Sequence, residues 1–330
     1  MVSHAEVEVL LFSDRPLPKP KELQDATLYV LPRVPYWQQV ALPLALRHHN
    51  VQAFHSLAYT LPIASGLPSV VTVHDMGFAL APDTVPNDVR RYLRTMVPQS
   101  LKRANKVIVD SHAVMEQLIS VYPQHEHKVE VVHLGVEQIF HMEHGGRAEC
   151  NMEYPYLLAV GSHEPRKNLV RLVAAFASLV QTSAIPHNLV LVGPKGRDTE
   201  RILETGRALG VSERLQFMDY VPDEQLPALY RAADAFVYPS LFEGFGLPLL
   251  EAMASGTPVV TSDRPCMPEV ADDAAVYVDP YDVCDIRAGI LKALQYRSTL
   301  VSAGLKRSQK FSWDRTAEGT VRIYNTIAQK

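Results

Sequence analysis

Short apolar runs alternate with segments of helical period along almost the whole chain. Runs at residues 7–12, 27–31, 51–55, 69–74, 106–110 and 128–133 have the length and composition of buried parallel strands. Between them, residues 36–48, 84–103 and 111–122 carry helical spacing, and Ser111 stands where the third of these helices needs a capping oxygen. The alternation resumes after a polar stretch at 140–151 that contains Gly145-Gly146 and reads as an interdomain linker. Strands are predicted there at 156–161, 188–193, 214–218, 235–239, 258–262 and 275–279. One helix is especially clear: Leu169, Leu172, Val173, Phe176, Leu179 and Val180 share a face, with Asn168 as the expected N-cap. Strand and helix in alternation predict an α/β protein with parallel sheets and right-handed crossovers. The division is into residues 1–145, 146–312 and a terminal helix at 313–330.

The opening of the chain breaks this regularity. No glycine occurs before Gly66, and residues 14–26 contain Pro16, Pro18 and Pro20. Such a connection cannot hold the helical crossover that consecutive parallel strands usually need.

The segment Tyr238-Pro-Ser-Leu-Phe-Glu-Gly-Phe-Gly-Leu-Pro-Leu-Leu-Glu251 carries the chemistry. A buried strand leads into a glycine turn, and the following helix is opened by Pro248, where no N–H donor is required, and closed by Gly256. Unpaired N–H groups at Gly244, Phe245, Gly246 and Leu247 suit sugar hydroxyls or phosphate oxygens. Glu243 and Glu251 flank the turn, both able to face one crevice, and a carboxylate can accept two hydroxyls of a diol. Arg166 and Lys167 follow the strand at 156–161, with Gly161 and Ser162 at its end. A planar fork and a mobile ammonium are complementary cations.

The two glutamates with seven residues between them resemble the signature of retaining glycosyltransferase family 4. The resemblance extends to Ala159-Val-Gly-Ser-His-Glu-Pro-Arg-Lys-Asn-Leu169, Met267-Pro-Glu-Val-Ala-Asp-Asp-Ala-Ala275, Leu134-Gly-Val-Glu-Gln-Ile-Phe140 and Val73-His-Asp75. It covers roughly residues 27–330. The implied fold is GT-B, two Rossmann-like domains facing across a cleft, with the last helix crossing back onto the first domain. Against the family pattern the first domain is shortened at its start, which implies a second copy or a companion glycosyltransferase chain completing the acceptor side.

The same resemblance gives Glu243 the donor sugar, Glu251 the ribose diol, Arg166 and Lys167 the diphosphate, and backbone near Tyr220 and Val221 the base. It sets His74 beside the donor sugar. On the residues alone, a structural histidine at a strand end is an equal alternative for His74, Asp75 is a cap for the next turn, and Glu251 could instead complement the helix N-terminus. Many family members carry an arginine where this chain has Ser162, which leaves Arg166 to compensate. The implied activity is transfer of a hexose, mannose from GDP-mannose or a sugar from a UDP-sugar, to a glycan or lipid-linked acceptor. The alternative is a sugar-nucleotide-binding subunit without activity of its own.

Composition narrows the classes further. The 330 residues suffice for two cores, and a formal charge of −4 argues against a nucleic-acid partner. Cys150, Cys266 and Cys284 are too few and too scattered for a disulfide framework or a zinc site. No two aspartates are separated by a single residue, so no Asp-x-Asp metal site is present, and neither a metal nor a cofactor is expected. No apolar run approaches the roughly 20 residues of a membrane span, and the first residues lack a secretory pattern, which predicts a cytoplasmic protein. Arg90, Arg91, Arg94, Lys102 and Arg103 leave room for peripheral contact with the inner face of a membrane.

Overall fold

The computed structural model describes residues 8–16, 26–34, 37–141 and 154–328. The first half holds β1 (Leu10–Ser13), β2 (Thr27–Val30), β3 (Phe54–Ser56), β4 (Ser69–Val73), β5 (Lys106–Val109) and β6 (Val129–Val131). Its helices are α1 (Ala41–His48), α2 (Gly77–Leu80), α3 (Asn87–Arg103) and α4 (His112–Val121). The second half holds β7 (Tyr156–Val160), β8 (Asn188–Val192), β9 (Leu215–Met218), β10 (Ala235–Tyr238), β11 (Val259–Ser262) and β12 (Ala275–Val278). With them come α5 (Leu169–Gln181), α6 (Thr199–Ala208), α7 (Leu226–Ala232), α8 (Leu247–Ala254), α9 (Cys266–Ala271), α10 (Val283–Gln295), α11 (Arg297–Ser308) and α12 (Trp313–Ala328).

The six strands of the second half form one parallel sheet in the order β12-β11-β10-β7-β8-β9. Read from β9, this is the doubly wound 3-2-1-4-5-6 order of a Rossmann sheet. Successive side chains of a strand point to opposite faces. Leu158, Val190, Phe236 and Tyr238 therefore enter one core with α7, α8 and α9. Leu157, Ala159, Leu189 and Leu191 enter the other with α5 and α10. Both faces are covered, which is why these strands read as continuous apolar runs.

The first half differs from the uniform alternation of its sequence. Four strands form a parallel sheet in the order β3-β4-β5-β6, while β1 and β2 pair with each other in a separate two-stranded sheet. That pair is parallel, Leu10 opposite Thr27, despite the proline-rich connection. Helix 36–48 is realised only from Ala41 among the described residues, and α3 begins at Asn87, behind Pro86, which cannot donate to the ladder. The expected linker at 140–151 lies outside the described residues beyond His141, as does Cys150.

One face of the four-stranded sheet is covered by α12. Ile323 and Ile327 pack with Val70, Ile108 and Val132. The Tyr324 hydroxyl meets His55 Nδ1 at 2.6 Å, and Thr72 Oγ1 meets its Nε2 at 2.8 Å. Burial, then the nearby His74, pulls the His55 pKa down to about 4, so the ring is neutral. The two halves cross where Val136 bridges to Ser312, and a Cβ on Gly135 would lie 2.2 Å from the Trp313 nitrogen. No helix among the described residues is long and apolar enough to cross a membrane.

Candidate active site

In a doubly wound sheet the connections leave in opposite directions at one point, and the carboxyl ends of the strands open a crevice there. Here that point lies between β7 and β10. The chain leaves β10 at Tyr238 and turns through Glu243 and Gly244 to Gly246, whose φ of +97° lies in the region that favours glycine. Pro248 occupies the first turn of α8 as expected, with Gly256 in a left-handed conformation after its end. Gly244 is a point of contact between the halves: a Cβ there would sit 1.7 Å from the His74 carbonyl oxygen. Any larger residue would force the cleft open.

Glu243, Arg166 and Lys167 meet as one charge cluster. Arg166 Nη1 lies 2.5 Å from Glu243 Oε2, and Lys167 Nζ lies 2.6 Å from Oε1. Lys167 also donates to the Tyr238 hydroxyl. The lysine and glutamate side chains are only 8% and 10% exposed, so water screens the pair poorly. Burial pushes Glu243 upward, but Lys167 and then Arg166 outweigh it and hold the carboxyl below its ordinary range. Burial also lowers the Lys167 pKa, with Glu243 opposing.

On the opposite wall, His74 stands at the end of β4. Its Nδ1 is 2.7 Å from Asp110 Oδ2 and its Nε2 is 2.6 Å from the Leu57 carbonyl. The Leu57 carbonyl can only accept, so Nε2 donates, while Nδ1 and the Asp110 carboxyl share a proton between them. The Asp110 hydrogen bond is the largest cause of the raised His74 pKa. Burial raises Asp110 in turn, with His74 opposing, and its Oδ1 has no partner among the described residues. Asp75 does cap its turn, accepting from Gly77 N at 2.8 Å, while its other oxygen accepts from the Tyr59 hydroxyl, also at 2.8 Å. A cleft of about 740 Å³ separates the walls, with His74 and Asp110 on one side and Lys167, Tyr238, Glu243 and Gly244–Leu247 on the other.

The remaining expected site residues are distributed unevenly. Gly161 lies against the Lys167 side chain, and Ser162 follows it. Val221 is buried in the core and Tyr220 is 78% exposed beyond the sheet. Phe245 is buried, its ring 6.0 Å from that of His133. Glu251 does not share the wall of this cavity with Glu243. It accepts from the Tyr230 hydroxyl at 2.8 Å, deeper along α8, and burial pushes it up to about 7. Asn168 is not a side-chain cap for α5: it sits at φ +59° and donates to the Pro239 and Pro280 carbonyls, at 3.0 and 2.6 Å. Its amide ties the loop of Arg166 and Lys167 to the end of β10.

Sequence reasoning missed Asp110, Tyr238 and Tyr59 as parts of the site. Asp110 ends one predicted strand and Tyr238 is the penultimate residue of another, which was the available signal. Among the described residues, His112, His133 and Glu269 bring metal-ligand atoms within 4.8 Å of one another. That carboxylate is already engaged by the backbone N–H groups of His112 and Ala113, at 2.8 and 3.1 Å.

Residues 146–307 match the family model of glycosyl transferases group 1, and residues 3–138 match that of glycosyltransferase family 4. The chain is 33% identical over 297 residues to the O-antigen chain mannosyltransferase B of Escherichia coli, covering 86% of this chain and 76% of that protein. Its fold is similar to sucrose-phosphate synthase from Thermosynechococcus elongatus, with a TM-score of 0.79, 22% identity, and coverage of 97% and 88%. It is also similar to Anabaena HepE in complex with UDP and glucose, with a TM-score of 0.76, 16% identity, and coverage of 98% and 100%. The chain belongs to the glycosyltransferases of group 1 and family 4, with the GT-B fold.

Proposed function

We propose that this family 4 glycosyltransferase is a retaining, metal-independent hexosyltransferase. Its donor is a nucleoside-diphosphate sugar, GDP-mannose first and a UDP-sugar second, and its acceptor is a glycan or a lipid-linked glycan. The relative named as an O-antigen chain mannosyltransferase supports mannose and a glycan acceptor. The fold neighbour that holds UDP and glucose supports a nucleoside diphosphate at this cleft. The observation that carries the reading is the Arg166–Lys167–Glu243 cluster at the switch point of the sheet, facing His74.

The cluster has a net charge of one positive unit and stands beside the N-terminus of α8. Both features favour a diphosphate whose negative charge grows as it departs, without a bound cation. Glu243 is a poor nucleophile, because each of its oxygens is taken by a cation. It suits the lesser task of accepting a sugar hydroxyl while keeping Lys167 ordered. His74 is a poor base, since Nε2 donates to the Leu57 carbonyl and Nδ1 is engaged by Asp110, but its protonated form can face the donor phosphates. The remaining base is the donor itself. The bond from the anomeric carbon to the phosphate oxygen breaks, the bond to the acceptor oxygen forms on the same face, and the acceptor proton passes to the departing phosphate. Such a step asks for positioning and fixed charge. Glu251 would take the ribose diol at the start of α8.

The test is a transfer assay with a donor panel, run in EDTA and in magnesium, with the product's anomeric configuration read by NMR. Equal rates in both buffers and a product of the donor's own configuration are expected. Loss of transfer in EDTA, or an inverted product, overturns the reading.

A further inference from the structure

Helix α4 is capped from the other half of the molecule. The N–H groups of His112 and Ala113 donate to Oε1 and Oε2 of Glu269, at 2.8 and 3.1 Å, and His133 Nε2 donates to Oε1 at 2.7 Å. A helix start leaves such N–H groups without intrahelical partners, and a carboxylate also suits its positive end. Glu269 belongs to α9 and is braced from behind. Arg307 donates to the backbone carbonyls of Glu269 and Val270, at 2.5 and 2.8 Å.

The neighbours of this cap give it consequence. Ser111 caps α4 itself, accepting from Val114 N, and gives its own proton to the Gly244 carbonyl at 2.7 Å. Asp110, one residue earlier, holds His74. Cys266, at the start of α9, donates to the Glu243 carbonyl at 3.2 Å. Helix α9 therefore touches both the donor-side turn and the start of α4. Residues 110–113 touch α9, that turn and His74.

We infer that Glu269 is a positioning residue for sugar transfer: by clamping the first turn of α4 it sets the Asp110–His74 pair at its distance from the Glu243 turn. The inference rests on the glycosyltransfer reading of the cleft. Glu269 does not line that cleft, so it acts through α4 and not on the donor. A carboxylate that only stabilised the fold would cost activity in proportion to the protein unfolded. One that positions costs turnover in folded protein, and it does so through Ser111.

The experiment compares the wild type with Glu269→Gln, Glu269→Ala, Ser111→Ala and the Glu269→Ala/Ser111→Ala double variant. Four quantities are read: thermal midpoint, calorimetric binding of GDP and UDP, kcat with the best donor, and the ring ¹⁵N shifts of His74. In folded Glu269→Ala, kcat should fall on the order of 100-fold, as expected for a small misplacement at a reacting centre. Nucleotide affinity should be unchanged and the His74 shifts should move. The double variant should be no slower than the worse single, because coupled sites are not additive. Glu269→Gln keeps the volume and one acceptor oxygen, and should fall between. Unchanged kcat and His74 shifts, additive effects with Ser111→Ala, a loss carried by nucleotide affinity, or failure of both Glu269 variants to fold would each overturn the inference. If the wild type transfers no sugar from any donor, the functional reading fails, and the His74 shifts still decide the clamp.

Discussion

On one side of the cleft, Glu243, Arg166 and Lys167 come from the loops that follow two adjacent strands, β10 and β7. On the other, His74 and Asp110 come from the ends of β4 and β5. The first group is sealed: two cations share one buried carboxylate, and Tyr238 closes it from the strand. The second is a hydrogen-bonded pair held further only by the Leu57 carbonyl, with a carboxyl oxygen that has no partner among the described residues and an imidazole 41% exposed. The sheets behind them differ in the same sense. The six-stranded sheet carries its own helices on both faces, whereas the four-stranded sheet takes α12 from the far end of the chain for one of its faces. The contrast teaches that the Glu243 wall stands on its own sheet and helices, while the opposing wall takes one face of its sheet from the far end of the chain.

The largest test of this contrast is Glu243→Gln. It leaves Lys167 buried without its charged partner, and removing one member of a buried pair costs about 3–5 kcal/mol of stability. Turnover should fall on the order of 100- to 1,000-fold. The pH dependence identifies the cause. Burial holds the folded Lys167 pKa below its unfolded value of 10.5, so the folded state binds fewer protons and the deficit should shrink as pH rises toward 10.5. Urea titrations across that range check this, and a deficit independent of pH would show that Lys167 is not the cause.

On the opposing wall, Asp110→Asn should lower turnover by roughly 10- to 100-fold at neutral pH, by removing the carboxyl whose hydrogen bond raises the His74 pKa. His74 has a raised folded pKa. Its contribution to stability is complete below the unfolded value of 6.5 and is lost as pH rises through the folded value. The variant should flatten that slope, which wild-type and variant melting curves from pH 6 upward would reveal. A slope retained in the variant would separate His74 from Asp110.

At Glu251, stability and binding are expected to move in opposite directions. Its folded pKa is pushed up to about 7 from 4.5, by burial first and then by Glu137 and Asp223, against the Tyr230 hydrogen bond. The folded state therefore holds an extra proton, and stability present below 4.5 is lost as pH rises through 7. Glu251→Gln, which still accepts from Tyr230, should be more stable than wild type above pH 7 by about 2 kcal/mol, after a discount for partial exposure. The two should be equal near pH 4. Nucleoside diphosphate binding should weaken by about 1.5–3 kcal/mol if the carboxylate takes the ribose diol. Unchanged GDP and UDP affinity by calorimetry would remove that role.

The sequence by itself determined the strand, glycine turn and helix that carry Glu243, because those requirements are local. The glycines, Pro248 and Glu243 lie in one strand-turn-helix, and their backbone requirements are visible in the residue types. The apolar runs of the second half named every strand of its sheet, since strands buried on both faces, as β7, β8, β10 and β11 largely are, read as continuously apolar. Tertiary structure alone decided the rest. That Arg166 and Lys167 close on Glu243 depends on β7 pairing with β10, strands separated by two others in sequence. That the His74 pKa is raised depends on Asp110, 36 residues away, and on a carbonyl at Leu57. The αL Asn168, the recessed Glu251 and the cap of Glu269 on α4 follow from which loops meet across the cleft. Periodicity reports which face of an element is buried, but not which element it is buried against.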